Sequence, residues 1–319
     1  MVRVLIAEPN YSKKAKEILS SFAQVSEGPF RQEEAMGVID RFDVLVIRLN
    51  ITVDKKMIDK ARRLKIIGTS TTGLDHIDMG YAKEKNIRVL SLKGETDFLQ
   101  DVWATAEHTF ALILSLIRKV PSSFDAVKFG KWDKSMFQGN ELRGKTLGIV
   151  GFGRLGHMVA EIAKGFGMKV VASDPYVPKS KMRKKGVLPV PLSRLLKQSD
   201  VVSLHVDLNA KSAGLIGKEE FHRMKPSAFL INTSRGQIID EKALLSALRN
   251  KAIKGAAIDV MKSEEASGKF LRYNPLLTYA KNHDNLIVTP HIAGTTEESL
   301  EKTQVFIAQK IIQNIRSLV

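Results

Sequence analysis

Apolar residues follow two rhythms along this chain. Short β-branched runs, RVLIAE (3–8), DVLVIRL (43–49), LKIIGTS (64–70) and IRVLSL (87–92), alternate with segments near 12–22, 54–62 and 78–85 whose apolar positions recur every three to four residues. The first pattern is that of buried strands and the second that of amphipathic helices. Their alternation predicts βαβ units and a parallel sheet. A long apolar helix, ATAEHTFALILSLIRKV, opens a second series, with strands at TLGIV, KVVAS, DVVSLH, AFLINT, IKGAAID and NLIVTPH. The expectation is an α/β protein of two doubly wound parallel-sheet domains joined near KGETDFLQD. Beyond this loose similarity of the halves, no short-period repeat or low-complexity tract is present.

Composition narrows the class. The chain has 319 residues, 44% of them hydrophobic, enough to bury two cores. It contains no cysteine, which excludes disulfides, thiolate catalysis and sulfur-held zinc, and suits a reducing compartment. No metal is expected. MVRVLIAEPN runs straight into a strand, with no apolar run long enough for a signal peptide or a membrane span, so a soluble, cytoplasmic protein is expected. The net charge of +16 raises nucleic acid as a partner. However, the basic residues of YSKKAKE, ARRLK and KSKMRKKGV are scattered among acids and lack interleaved aromatics, the pattern of solvated helix faces. Neither nucleic acid nor membrane is expected to bind. What remains is a general attraction for phosphorylated cofactors and small carboxylates.

The most informative stretch is LGIVGFGRLGHMVAEIAKGFGMKVVASDPY (147–176). Gly151, Gly153 and Gly156 form G-x-G-x-x-G directly after a strand, and Leu155, Val159, Ile162, Ala163 and Phe166 recur at helical spacing behind it. In a dinucleotide site the first glycine makes the tight turn, the second admits a pyrophosphate and the third lets helix and strand pack closely. Asp174 ends the next strand, where a carboxylate accepts from the adenosine ribose diol. Its charge repels a 2′-phosphate and favours NAD over NADP, although Lys179 and Lys181 stand nearby. Four further strand ends carry polar groups: His205, the NTSRG segment with Arg235, Asp259 and His291. Singly each has a structural explanation. Together they offer a cation, acids and an imidazole where such sheets bind ligands.

VGFGRLG, NTSRGQIIDEKALLSAL, GAAIDV and TPHIAGTT closely resemble the D-isomer-specific 2-hydroxyacid dehydrogenases, and VIRLNITVD and TGLDHID resemble substrate-domain motifs of the phosphoglycerate dehydrogenase branch. The resemblance covers nearly the whole chain. It implies a flavodoxin-like substrate domain of residues 1–98 and 293–319, interrupted by an NAD-binding Rossmann domain of residues 99–292. It also implies a homodimer with the helix beginning near Ala104 at the interface, and, with the chain ending at Val319, no allosteric C-terminal module.

Carried over by motif, Arg235 binds the substrate carboxylate and carbonyl, His291 is the acid/base and Glu264 its partner, with Glu265 competing for that role. Asp259 is expected at the nicotinamide carboxamide. The resemblance adds Thr105, Arg154, Leu155, His205, Thr233 and Gly294 to the cofactor site. Backbone N–H groups of Thr72, Gly73 and Leu74 would receive the substrate carboxylate, and Arg48 corresponds to a phosphate-facing arginine. Three departures from the family pattern stand out, the last of which, at the hinge, bears on substrate identity. The proline usual after the catalytic glutamate is replaced in KSEEASGKF, the segment ASGKFLRYNPLLTYAKNHDN reads as an enlarged loop, and the hinge LSLKGETDFLQDVW is longer and more acidic than the family pattern. The expected activity is hydride transfer between NAD and a D-2-hydroxy acid, with a phosphorylated acid such as 3-phosphoglycerate favoured through Arg48. A glyoxylate or hydroxypyruvate reductase is the alternative, and a non-catalytic NAD-sensing scaffold is the alternative of another class.

Overall fold

Five short strands, β1 (Arg3–Ile6), β2 (Gln24–Glu27), β3 (Val44–Ile47), β4 (Ile66–Thr69) and β5 (Arg88–Leu90), pair in parallel in the order β2-β1-β3-β4-β5. The computed structural model describes residues 1–262, 264 and 273–315. Its internal contacts divide the chain into a first unit, Met1–Val102 with Thr295–Val319, and a second, Trp103–Gly294. The first sheet belongs to the first unit and has the flavodoxin-like strand order. Every residue of β3 and β4 is buried, because helices cover both faces of a parallel sheet. On one face the helix Glu297–Ile315 lies so close to β4 that a Cβ on Gly68 would stand 2.6 Å from Ile311 Cδ1. A glycine in mid-strand is thus the imprint of the returning C-terminal helix.

The second unit holds β6 (Thr146–Val150), β7 (Lys169–Ser173), β8 (Leu188–Pro189), β9 (Val201–Leu204), β10 (Phe229–Asn232), β11 (Gly255–Ile258) and β12 (Leu286–Val288). They form one parallel sheet, β12-β11-β10-β9-β6-β7-β8, so strand order reverses between β6 and β9, where doubly wound sheets open a ligand crevice. Both units are therefore parallel-sheet α/β layers, as the hydrophobic pattern predicts.

Four elements differ from the sequence reading. β2 (QVSE) and β8 are edge strands with mostly exposed or half-buried positions, and no apolar run announces them. The long helix stops at Ile117; Lys119 adopts a left-handed conformation, φ 55°, and a new helix, Val120–Lys128, starts with a proline in its first turn. Part of the expected loop is the helix Pro275–Ala280, started by Asn274, whose side chain accepts from the N–H groups of Leu276 and Leu277. Among the described residues no helix is long and apolar enough to cross a membrane.

Candidate active site

Because all seven strands of the second unit run the same way, their carboxyl ends share one edge. Asp174 follows β7, Gly151 follows β6, His205 follows β9, Arg235 stands three residues beyond β10, Asp259 follows β11, and His291 lies three residues beyond β12. Residues spread over more than a hundred positions thereby form one row. The glycine turn fits a dinucleotide on three separate observations. Gly151 has φ 89°, and a Cβ there would stand 2.6 Å from the His205 carbonyl oxygen. A Cβ on Gly156 would meet the Gly151 carbonyl oxygen at 2.2 Å, so the helix Arg154–Gly165 can start only where no side chain intervenes. Gly153, by contrast, faces open space. It is the N-cap, has no side chain to satisfy the first helical N–H groups, and leaves them for an anion.

Asp174 steadies this turn. Its Oδ2 accepts the Phe152 N–H at 2.8 Å, and its Oδ1 accepts from Tyr176 and Val177 at 2.8 and 3.2 Å. One lone pair on Oδ2 is left for a ribose hydroxyl. His205 Nε2 pairs with Ser203 Oγ at 2.8 Å, while its Nδ1 is buried without a partner. Burial pushes this histidine down to about 4, so it is neutral. Thr233 shares a 2.9 Å hydrogen bond with Thr109, four residues beyond Thr105 and bonded to its carbonyl at 2.8 Å.

Arg235 is aimed by the residues around it in NTSRG. Asn232 is fully buried; its Nδ2 donates to the Arg235 carbonyl at 2.9 Å and its Oδ1 accepts the Ser234 N–H at 3.0 Å, folding the loop back on β10. The following glycine is required, since a Cβ on Gly236 would stand 2.3 Å from the Met261 carbonyl oxygen. That close approach brings the segment leading to Glu264 against the arginine loop.

His291 Nδ1 and Glu264 Oε1 are 2.7 Å apart. An ionised carboxylate only accepts, so Nδ1 carries the proton and Nε2 is left to exchange one. Glu265 lies outside the described residues, so the structure does not compare the two acids. His291 has φ 53°, a conformation unusual for a non-glycine, and its N–H donates to the Asp259 carbonyl at 2.9 Å. Asp259 is the anchor of this turn. Its carboxylate accepts from Thr289 Oγ1 at 2.6 Å, Ile292 N–H at 3.0 Å and Ala293 N–H at 2.8 Å, and His108 Nε2 stands 3.5 Å away. Burial works to raise its pKa, but His108, Thr289 and the two N–H groups together hold it below the usual carboxylate range. Gly294 closes the turn. The sequence reading did not single out His108, Asn232 and Thr289, because each acts on the site through a neighbouring residue: Asn232 and Thr289 stand inside NTSRG and TPHIAGTT beside the residues it chose, and His108 stands in none of the quoted motifs.

In the first unit, Thr72, Gly73 and Leu74 follow β4, and among the described residues their three N–H groups donate no hydrogen bond. Consecutive free N–H groups make an anion cradle. Arg48, directly beyond β3, donates Nη1–H to Thr295 Oγ1 at 3.1 Å.

Residues 110–293 match the family model for the D-isomer specific 2-hydroxyacid dehydrogenase NAD binding domain. The sequence is 37% identical to D-3-phosphoglycerate dehydrogenase of Methanocaldococcus jannaschii, over 99% of this chain and 58% of that one. It is 35% identical to hydroxypyruvate reductase of Thermotoga maritima, over 98% of each chain. The solved D-lactate dehydrogenase from Aquifex aeolicus, complexed with NAD and lactic acid, is similar with a TM-score of 0.82 and 28% identity over 99% of this chain and 96% of that one. The chain spans little more than half the length of the D-3-phosphoglycerate dehydrogenases it matches.

Proposed function

Since the chain belongs to the D-isomer specific 2-hydroxyacid dehydrogenase family, we propose that it is an NAD-dependent oxidoreductase interconverting a D-2-hydroxy acid and its 2-keto acid. The observation that carries this reading is the His291–Glu264 pair, on the same strand edge as Arg235 and the glycine turn. Gly151, Gly153, Arg154, Leu155, Gly156 and Asp174 would hold the cofactor at that turn, where it would supply or accept hydride at the substrate's second carbon. Arg235 holds the carboxylate and the carbonyl oxygen with its planar fork. The Nε2 of His291 gives that oxygen its proton in reduction and takes it back in oxidation, while Glu264 stabilises the imidazolium. Asp259 keeps His291 in place and would be the partner of the nicotinamide carboxamide. The N–H groups of Thr72, Gly73 and Leu74 are the proposed contact for the substrate carboxylate.

Arg48 is the contact for the substrate's far end. A phosphorylated acid such as 3-phosphoglycerate uses its charge, worth about 1.5–3 kcal/mol for a charge-assisted hydrogen bond. A hydroxypyruvate or glyoxylate reductase is the second reading, favoured by a relative that this chain matches over 98% of each chain. NADH oxidation measured over a panel of 2-keto acids, phosphorylated and not, tests the activity. NAD binding without turnover of any of them would overturn it.

We place the protein in the cytoplasm, on its lack of cysteine, and propose a homodimer. The support for the dimer is an exposed apolar stretch, with Phe129 79% and Trp132 90% accessible and Phe124 and Met136 beside them in sequence. The helix Ala104–Ile117, expected at the interface, spends its apolar face on its own unit's core. The stretch following it is the better candidate.

A further inference from the structure

The helix Ala104–Ile117 begins at the carboxyl edge of the second sheet, where two consecutive residues make polar contacts beyond three strand ends. Thr109 is fully buried. Its hydroxyl donates to the Thr105 carbonyl at 2.8 Å and so accepts from Thr233, two residues before Arg235, at 2.9 Å. His108 Nε2 stands 3.3 Å from Thr289 Oγ1 and 3.5 Å from Asp259 Oδ1. These two partners fix the turn that carries His291. The Asp259 carboxylate accepts the Thr289 hydroxyl at 2.6 Å and the N–H groups of Ile292 and Ala293, and the carbonyls of Asp259 and Thr289 both accept the His291 N–H.

An ionised carboxylate only accepts, so the single hydroxyl hydrogen of Thr289 goes to Asp259 Oδ1, and Thr289 Oγ1 can offer His108 nothing but a lone pair. Nε2 of His108 is therefore the donor. Its N–H holds the Thr289 hydroxyl in the one orientation that serves Asp259. Donated hydrogen bonds thus run in series from His108 through Thr289 to Asp259 and end on the backbone that keeps His291 at φ 53°. The same helix buries Phe110, Leu112 and Ile113, so an apolar side chain would suit it, and what an imidazole adds there is the N–H. Resting on the reading of His291 as the acid/base, we propose that His108 is a positioning residue for the reaction, which by donating to Thr289 holds Asp259 and the His291 turn in the arrangement that transfers the proton. It acts through Thr289 and Asp259, not on the reacting atoms.

The test measures kcat and KM with NADH, on whichever of hydroxypyruvate and 3-phosphohydroxypyruvate is reduced faster, in the unmodified protein, His108→Met, His108→Gln, Thr289→Val and the double variant His108→Met, Thr289→Val. Glutamine places an amide N–H near the position of Nε2, and methionine has the same length and a similar shape without a donor. His108→Met should lower kcat about tenfold, the scale of one lost hydrogen bond, with KM little changed because the loss falls on the transition state. Glutamine should recover most of that loss. Thr289→Val should lose at least as much, and adding His108→Met to it should cost less than a further twofold, because the two residues act in series. A histidine that served only to pack would behave otherwise, with methionine keeping kcat and glutamine gaining nothing over it. That result, or multiplicative losses in the double variant, would overturn the proposal. If thermal melting shows that methionine destabilises the fold, His108→Leu takes its place under the same expectations. Failure of the unmodified protein to reduce either acid would instead remove the activity reading, and this proposal with it.

Discussion

His291 sits in a left-handed conformation with its ring on Glu264, and a non-glycine residue stays there only when its surroundings over-determine it. The carbonyls of Asp259 and Thr289, which both accept its N–H, supply that constraint. His291→Gln should therefore leave NADH affinity close to normal while lowering kcat by about 10²–10⁴, the usual contribution of a positioned acid/base. Near-normal kcat would remove His291 from the reaction. His205 makes a different prediction. In the unfolded chain a histidine takes up its proton near pH 6.5, but in the folded protein burial delays this to about 4. The stability it contributes is present above pH 6.5 and is lost as pH falls through that window. Urea unfolding at pH 7 and pH 4.5 should show a loss on the order of 2 kcal/mol that His205→Gln abolishes. An equal loss in the variant would assign the acid sensitivity to other groups.

Among the elements, the strand–turn–helix of residues 146–165 separates folding from binding within ten positions. Gly156→Ala puts a Cβ 2.2 Å from the Gly151 carbonyl, so the turn must open and both melting temperature and NADH binding should fall. Gly153→Ala meets nothing in the protein. Its melting temperature should stay within about 2 °C of the parent, the scale of a sub-kcal/mol change, while NADH affinity drops at least tenfold because the new methyl occupies the pyrophosphate approach. Thermal melting and fluorescence titration with NADH read the two effects. Unchanged NADH affinity in Gly153→Ala would show that the pyrophosphate does not cross this glycine.

For the whole molecule, the exposed Phe129 and Trp132 predict that the double substitution Phe129→Asp, Trp132→Asp leaves each unit folded and shifts the sedimentation coefficient from dimer to monomer. A monomeric parent would dismiss the apolar stretch as an interface.

The two-sheet architecture was legible because each buried parallel strand needs a continuous apolar run and each covering helix a periodic one. Those requirements are local, and so are the glycine turn, Asp174 and the NTSRG loop, which is why their positions could be read directly from the chain. Edge strands β2 and β8 escaped the reading because an edge carries little burial to mark it. Pairing was beyond local pattern altogether. That Glu264 reaches His291 across 27 positions, that Asp259 ties down Thr289, Ile292 and Ala293, and that Gly236 must clear Met261 are consequences of adjacent parallel strands ending on one edge. Glu8 shows the difference most plainly. In sequence it is an acid after an apolar run, of the sort that faces water. Only the return of the C-terminal helix, almost three hundred residues later, lays Gln304 on one of its oxygens, and the acid ends 3% exposed, because burial is a property of how distant segments pack.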